Sequence, residues 1–129
     1  MKISVISGGF DPIHSGHIAY INEAKKLGDK LIVLLNSDDW IINKKDKFFM
    51  PFSERKDILE NIRSVDTVLS FEDDSIGSCI KGLEEIKNLY PEDEIIFCNG
   101  GDRNQKNIPE MSIDNISFKF SIGGDSGID

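Results

Sequence analysis

Eleven residues near the amino terminus, Ser7-Gly8-Gly9-Phe10-Asp11-Pro12-Ile13-His14-Ser15-Gly16-His17, constrain this chain more than any other stretch. The apolar run Ile3-Ser4-Val5-Ile6 enters them and a helix-patterned segment leaves them. Two glycines permit a sharp turn and close approach of a ligand to the backbone. Both histidines of the chain follow at i and i+3, which on a starting helix sets the two rings on one face. The unpaired N–H groups of such a first turn attract an anion, and phosphate fits best. A single histidine at a helix start is usually a cap or a half-buried side chain. Two of them beside a glycine turn at the end of a strand point to phosphate chemistry. The stretch is not a Walker loop, since no Gly-Lys-[Ser/Thr] follows, nor a Gly-x-Gly-x-x-Gly dinucleotide turn.

Length and charge narrow the class. The chain has 129 residues, enough for one domain with a substantial core. A net charge of -8 argues against nucleic acid or an anionic membrane surface as partner, but a small anion held by a local cluster of cations remains compatible. Cys79 and Cys98 lack metal-ligand spacing and read as free, buried thiols of a reducing compartment. With no long apolar run and no signal-peptide pattern, the expected location is cytoplasmic.

Taken in order, Lys2–Ser7 reads as a buried strand and His17–Leu27 as a helix, with Gly28 at its C′ position. Lys30–Asn36 is a continuous apolar strand of the parallel-sheet type, closed by a turn at Ser37-Asp38-Asp39. Trp40–Phe52 has no clean period and reads as a long, mobile loop with at most one helical turn. Ser53 is the expected cap of a helix from Glu54 to about Arg63, followed by a strand over Asp66–Phe71. Ile76–Tyr90 has the stripe of a third helix, ended by Pro91. Glu94–Cys98 is a fourth strand running into Asn99-Gly100-Gly101-Asp102-Arg103, and Asn115–Ser121 alternates like an edge strand. The alternation of strands and helices predicts a Rossmann-like, doubly wound α/β domain with a parallel sheet of about five strands in the order 3-2-1-4-5. Ligands of such sheets bind beyond the carboxyl ends of the strands at the switch point. There the two Gly-Gly turns, Gly8-Gly9 and Gly100-Gly101, are expected to line one pocket.

Gly9-Phe10-Asp11-Pro12-Ile13-His14-Ser15-Gly16-His17 resembles the Gly-x-Phe-Asp-x-x-His-x-Gly-His signature of the cytidylyltransferase-like nucleotidyltransferases. The resemblance continues through Glu23–Asp29, Asn36-Ser37-Asp38, Glu54-Arg55, Ile62-Arg63 and Val65-Asp66, and more weakly through Gly100-Gly101-Asp102. The branches it most resembles are glycerol-3-phosphate cytidylyltransferase and the adenylyltransferase domain that makes ADP-heptose. The resemblance implies transfer of a nucleotidyl group from CTP or ATP to a phosphorylated small alcohol or sugar, with release of pyrophosphate. It implies His14, His17 and Lys44 as catalytic, with Lys45 or Lys47 as helpers. Gly8, Gly9, Phe10, Asp11, Gly16, Gly100 and Asp102 would contact the nucleotide, and Arg63 and Arg55 the acceptor or phosphate side. For Arg55 a structural ion pair is the equal alternative, and for Trp40 and Phe48 packing on the domain is favoured over ligand contact. Mg²⁺ would ride on the phosphates, with Asp11 as its one candidate ligand, and the working unit would be a homodimer.

One departure stands out. The family's Arg-Thr-x-Gly-Ile-Ser-Thr-Thr run and following helix have only Ser126-Gly127-Ile128-Asp129 opposite them, with Gly124 in place of the arginine. Two expectations follow: a nucleotidyltransferase, shortened at its end and slowed for lack of donors to the transition state, or a nucleotide-binding module of the same fold with little turnover. Pyrophosphate release from labelled nucleotide separates them.

Overall fold

Strands form where apolar runs demand burial on both faces. The computed structural model describes residues 1–101 and 108–123. Its elements are β1 (Lys2–Gly8), α1 (Ser15–Lys26), β2 (Lys30–Leu35), α2 (Asp38–Lys45), α3 (Phe52–Glu60), β3 (Thr67–Leu69), α4 (Ile80–Leu89), β4 (Glu94–Cys98), a 3-10 turn (Pro109–Ser112) and β5 (Ser117–Lys119). The five strands make one sheet in the order β3-β2-β1-β4-β5, as the alternation predicts. Every neighbouring pair is parallel, with β1 paired to β2 through Val5↔Ile32 and to β4 through Val5↔Phe97.

Helices cover both faces, as period-2 side chains on doubly buried strands require. One face carries Ile6, Val33, Leu35, Ile96 and Cys98 against Tyr20, Ile21 and Ala24 of α1 and Leu59 of α3. The other carries Ile3, Val5, Ile32, Leu34 and Phe97 against Leu83 and Ile86 of α4. Both cysteines are buried, and burial pushes the Cys98 thiol up to about 12, so it stays protonated and inert. No helix among the described residues is long and apolar enough to cross a membrane.

Several local expectations give way. Trp40–Phe52 is not a loop throughout, because Asp38–Lys45 is helical. The helix rests on end signals rather than on a stripe: Ser37 accepts from Trp40 N–H, Asp38 and Asp39 fill the first turn, and Lys44 and Lys45 the last. The next helix begins at Phe52 behind Pro51, not at a Ser53 cap, and it stops at Glu60, three residues before Arg63. Residues 76–79 do not join α4. The Asp74 carboxylate accepts from the N–H groups of Ile76 and Ser78 and from the Ser78 hydroxyl, and Gly77 takes a left-handed φ of 74°. That alternative bonding holds a turn against the helix, and Ile76 is left exposed instead of in the core.

Gly28 also acts otherwise than its C′ position suggests. Its φ is not left-handed; a Cβ there would stand 2.8 Å from Ser4 N and 3.0 Å from Lys2 O. The residue is glycine because the chain leaving α1 passes against the β1 backbone. Gly28→Ala is expected to destabilise by about 1–3 kcal/mol, the usual range for overpacking, read as a lower urea midpoint at unchanged slope.

Candidate active site

The three interior strands, β2, β1 and β4, all end on the carboxyl edge of the sheet, and the glycine turn after β1 sits there between β2 and β4. Gly8 and Gly9 do not supply left-handed backbone; Phe10 does, at φ 51°, followed by a cis Asp11–Pro12 bond. The glycines provide space. A Cβ on Gly8 would be 3.1 Å from the Phe10 ring, and one on Gly9 3.3 Å from Ile41 of α2. The buried Phe10 ring in turn packs 4.9 Å from the ring of His17.

His14 is the N-cap of α1 and His17 its third residue, and the two cap reciprocally. His14 Nδ1 accepts from Gly16 N–H at 3.0 Å, and His14 N–H donates to His17 Nδ1 at 3.1 Å. The rings lie 4.0 Å apart at 33°. Because each Nδ1 is an acceptor, each neutral ring carries its proton on Nε2 and offers a fixed donor. Burial, with the positive potential of His14 and Lys45 behind it, lowers His17 to about 4. At neutral pH it is therefore a neutral donor, not a cation. The first turn of α1 holds no acidic residue, so no side-chain carboxylate of its own competes with an anion for the positive end of the helix dipole.

The lysines divide. Lys45 Nζ donates to the Asp11 carbonyl at 3.1 Å and lies close enough to depress His17. Lys44, expected to be the phosphate lysine, instead stands over the Trp40 ring at 4.9 Å, on the side of α2 that lines a separate cleft. Successive helix residues diverge by about 100°, so only one of the pair can face the histidines.

Asp11 and Arg55 both bond to neighbouring segments of the chain. Asp11 is buried, and its two oxygens accept from Phe49 N–H and Met50 N–H at 2.6 Å each. That use does not fit a resident magnesium ligand, and no group of three or more His, Cys, Asp or Glu side chains among the described residues could hold a metal ion. Arg55, 1% exposed, donates to the carbonyls of Gly9, Asn36 and Met50 and pairs with Asp38 at 2.7 Å. Of its two expected roles, the structure shows the ion pair. Arg63 sits exposed in the turn before β3, at the amino edge of the sheet, opposite the histidines. Gly16 lies buried in the first turn of α1. Gly100 is covered by the chain itself, since a Cβ there would meet Ile122 O at 3.0 Å and the Tyr20 ring at 3.4 Å. Asp102 and Arg103, like the Gly124–Asp129 end, lie outside the described residues. The sequence reading passed over the loop Asp73–Gly77, which faces α2; its position just after β3 on the carboxyl edge was the available signal.

Fold and site together define a doubly wound α/β domain with a histidine-capped helix at the carboxyl edge of its sheet. A model of the cytidylyltransferase-like family matches residues 5–116, and the chain belongs to that family of nucleotidyltransferases. The bifunctional protein HldE of Salmonella arizonae is 35% identical over 78% of this chain, and the chain spans 24% of that relative's length. In fold, it superposes on a lipopolysaccharide core biosynthesis protein from Thermoplasma volcanium with a TM-score of 0.69 at 22% identity, covering 93% of this chain and 94% of that one. A provisionally assigned nicotinate-nucleotide adenylyltransferase from Vibrio parahaemolyticus superposes with a TM-score of 0.63 at 18% identity, over 92% and 72% of the two chains.

Two outcomes test this geometry. Removing the Arg55 guanidinium, as in Arg55→Met, strands the Asp38 carboxylate and three carbonyls, and is expected to cost about 3–5 kcal/mol by chemical denaturation. The depressed His17 sets a pH window. Between its ordinary value near 6.5 and about 4, the unfolded chain takes up a proton that the folded chain refuses. Stability should therefore fall as pH drops from about 6.5 to about 4, and His17→Gln should flatten that part of the profile.

Proposed function

We propose that the chain transfers a nucleotidyl group from CTP or ATP to a phosphorylated small alcohol or sugar, releasing pyrophosphate. The observation that carries the reading is the reciprocal cap of His14 and His17. It leaves Nε2–H as the donor still available on each of two rings 4.0 Å apart, at the start of the helix that follows β1.

The chemistry asks little else of the protein. An oxygen of the acceptor's phosphate attacks the α-phosphorus of the nucleotide. The new P–O bond forms as the bond to the bridging oxygen of the β-phosphate breaks, and that oxygen leaves with the electron pair. The nucleophile is already an anion, so no general base is required, and catalysis reduces to alignment and charge stabilisation. His14 and His17 donate to phosphate oxygens as charge moves onto the leaving pyrophosphate. Lys45, tethered at Asp11, adds positive charge on the same side. Magnesium bound to the triphosphate would neutralise part of its charge, brought with the nucleotide rather than caged by this chain. The resemblance supports a homodimer as the working unit, which sedimentation would measure.

His14→Ala and His17→Ala are each expected to lower kcat by about a hundredfold or more, since one lost donor to developing charge is worth about 3 kcal/mol. Both should fold, losing about 1 kcal/mol of helix capping. Pyrophosphate release with CTP or ATP and a panel of phosphorylated acceptors is the assay. Nucleotide binding without pyrophosphate release from any acceptor would make the chain a binding module instead.

A further inference from the structure

Phe49 is 77% exposed, more than any other large apolar side chain among the described residues. Phe48 beside it is exposed too, and so is Ile42, whose carbonyl accepts from Asp46 N–H where α2 runs into this segment. Scattered apolar side chains on a surface are ordinary, but a group of them marks a place of contact. A loose tip would fold such rings away. This one is held out, because Phe49 N–H and Met50 N–H donate to the buried Asp11 carboxylate at 2.6 Å each. The Met50 carbonyl accepts from the buried Arg55 at 3.0 Å, and Phe52, half-buried, roots the segment in the core. Two buried charged groups therefore fix the backbone that presents Phe49 to solvent.

The charges around the aromatic pair select what it meets. Asp46 and Lys47 stand just before it, Glu54 just after it in the first turn of α3, and all three are exposed. Lys45, also exposed, is held against the Asp11 carbonyl, while Lys44 covers the Trp40 ring. Two lysines and two carboxylates balance around the rings. An anionic membrane or a nucleic acid requires an excess of cations at the contact, and a balanced rim on a chain of net charge -8 supplies none. A second copy of the same face fits better. In a two-fold contact the patch meets itself, so an aromatic centre needs a rim of both signs in which each charge finds its opposite across the axis. Asp46 and Lys47 are adjacent, and a two-fold axis at Phe49 sets Lys47 of one copy against Asp46 of the other.

We propose that this face is a two-fold interface between two copies of the chain, with Phe48 and Phe49 at its centre and Lys47 paired to Asp46 across the axis. The assignment rests on the homodimer reading above and names the surface that makes it.

Sedimentation of the whole chain over a range of concentrations gives the dimer Kd. Phe49→Ser keeps the backbone bonds to Asp11, so its far-UV spectrum should match the parent while Kd rises tenfold or more. Asp46→Lys sets lysine against lysine across the axis, and Lys47→Glu sets carboxylate against carboxylate. Each variant alone should dimerise more weakly than the parent. Mixed in equal amounts they should recover a dimer, because in the mixed pair every charge again faces its opposite. A dimer that survives Phe49→Ser and both charge variants would place the axis elsewhere, overturning this assignment and leaving the homodimer. A chain monomeric at every concentration would overturn both. Weakened single variants that gain nothing on mixing would overturn the two-fold pairing. Monomers that cosediment with phosphatidylserine vesicles through Phe49 would make the face a membrane contact instead.

Discussion

One guanidinium holds the carboxyl edge of this sheet together. Arg55 is the only buried cation among the described residues, and it reaches from α3 to the Gly9 carbonyl of the phosphate turn, the Asn36 carbonyl at the end of β2, the Met50 carbonyl and the Asp38 carboxylate at the start of α2. A charge in that position is tolerated because nearly every N–H it carries finds an acceptor and one acceptor is ionised. Asp11 makes the complementary tie, from the phosphate turn to the amides of Phe49 and Met50. The glycine turn, the start of α2 and residues 49–50 are thereby held to one another before any ligand arrives, and preset donors are the condition for electrostatic catalysis.

The histidines show how one pair of side chains serves two ends. As caps they satisfy backbone N–H groups that every helix start leaves open. The same bonds take up Nδ1 on both rings and leave Nε2 as the only outward donor. The ordinary reading of a histidine at a helix start and the functional reading therefore describe the same geometry. In a chain of net charge -8, a neutral donor such as His17 has a further merit: it attracts no competing carboxylate from the surface.

Strand positions and order were legible because doubly buried parallel strands must be apolar throughout, and only one winding of such units is common. The glycine turn after β1 and the helix that follows it were legible from the strand-glycine-histidine pattern. What escaped was settled by side chains bonding to nearby backbone. α2 has a single buried residue, Ile41, so its stripe is invisible, and its capping and charge pattern had to be read instead. Asp74 trims the start of α4 for a similar reason. Arg55, Asp11 and Lys44 carry suitable chemistry for ligand contact, but burial and helix phase decide which groups face a ligand, and neither follows from residue type. Arg63 lies in the turn before β3, at the amino edge of the sheet.

The sheet's borders have a consequence for assembly. β3 and β5, the two outermost strands, are three residues each. So short a border exposes too few backbone groups to template a further strand, the usual natural defence against open-ended stacking of sheets. Copies of this chain that associate must therefore meet through helix faces and loops, where side chains choose the partner, and not by lengthening the sheet, where any extended segment would serve.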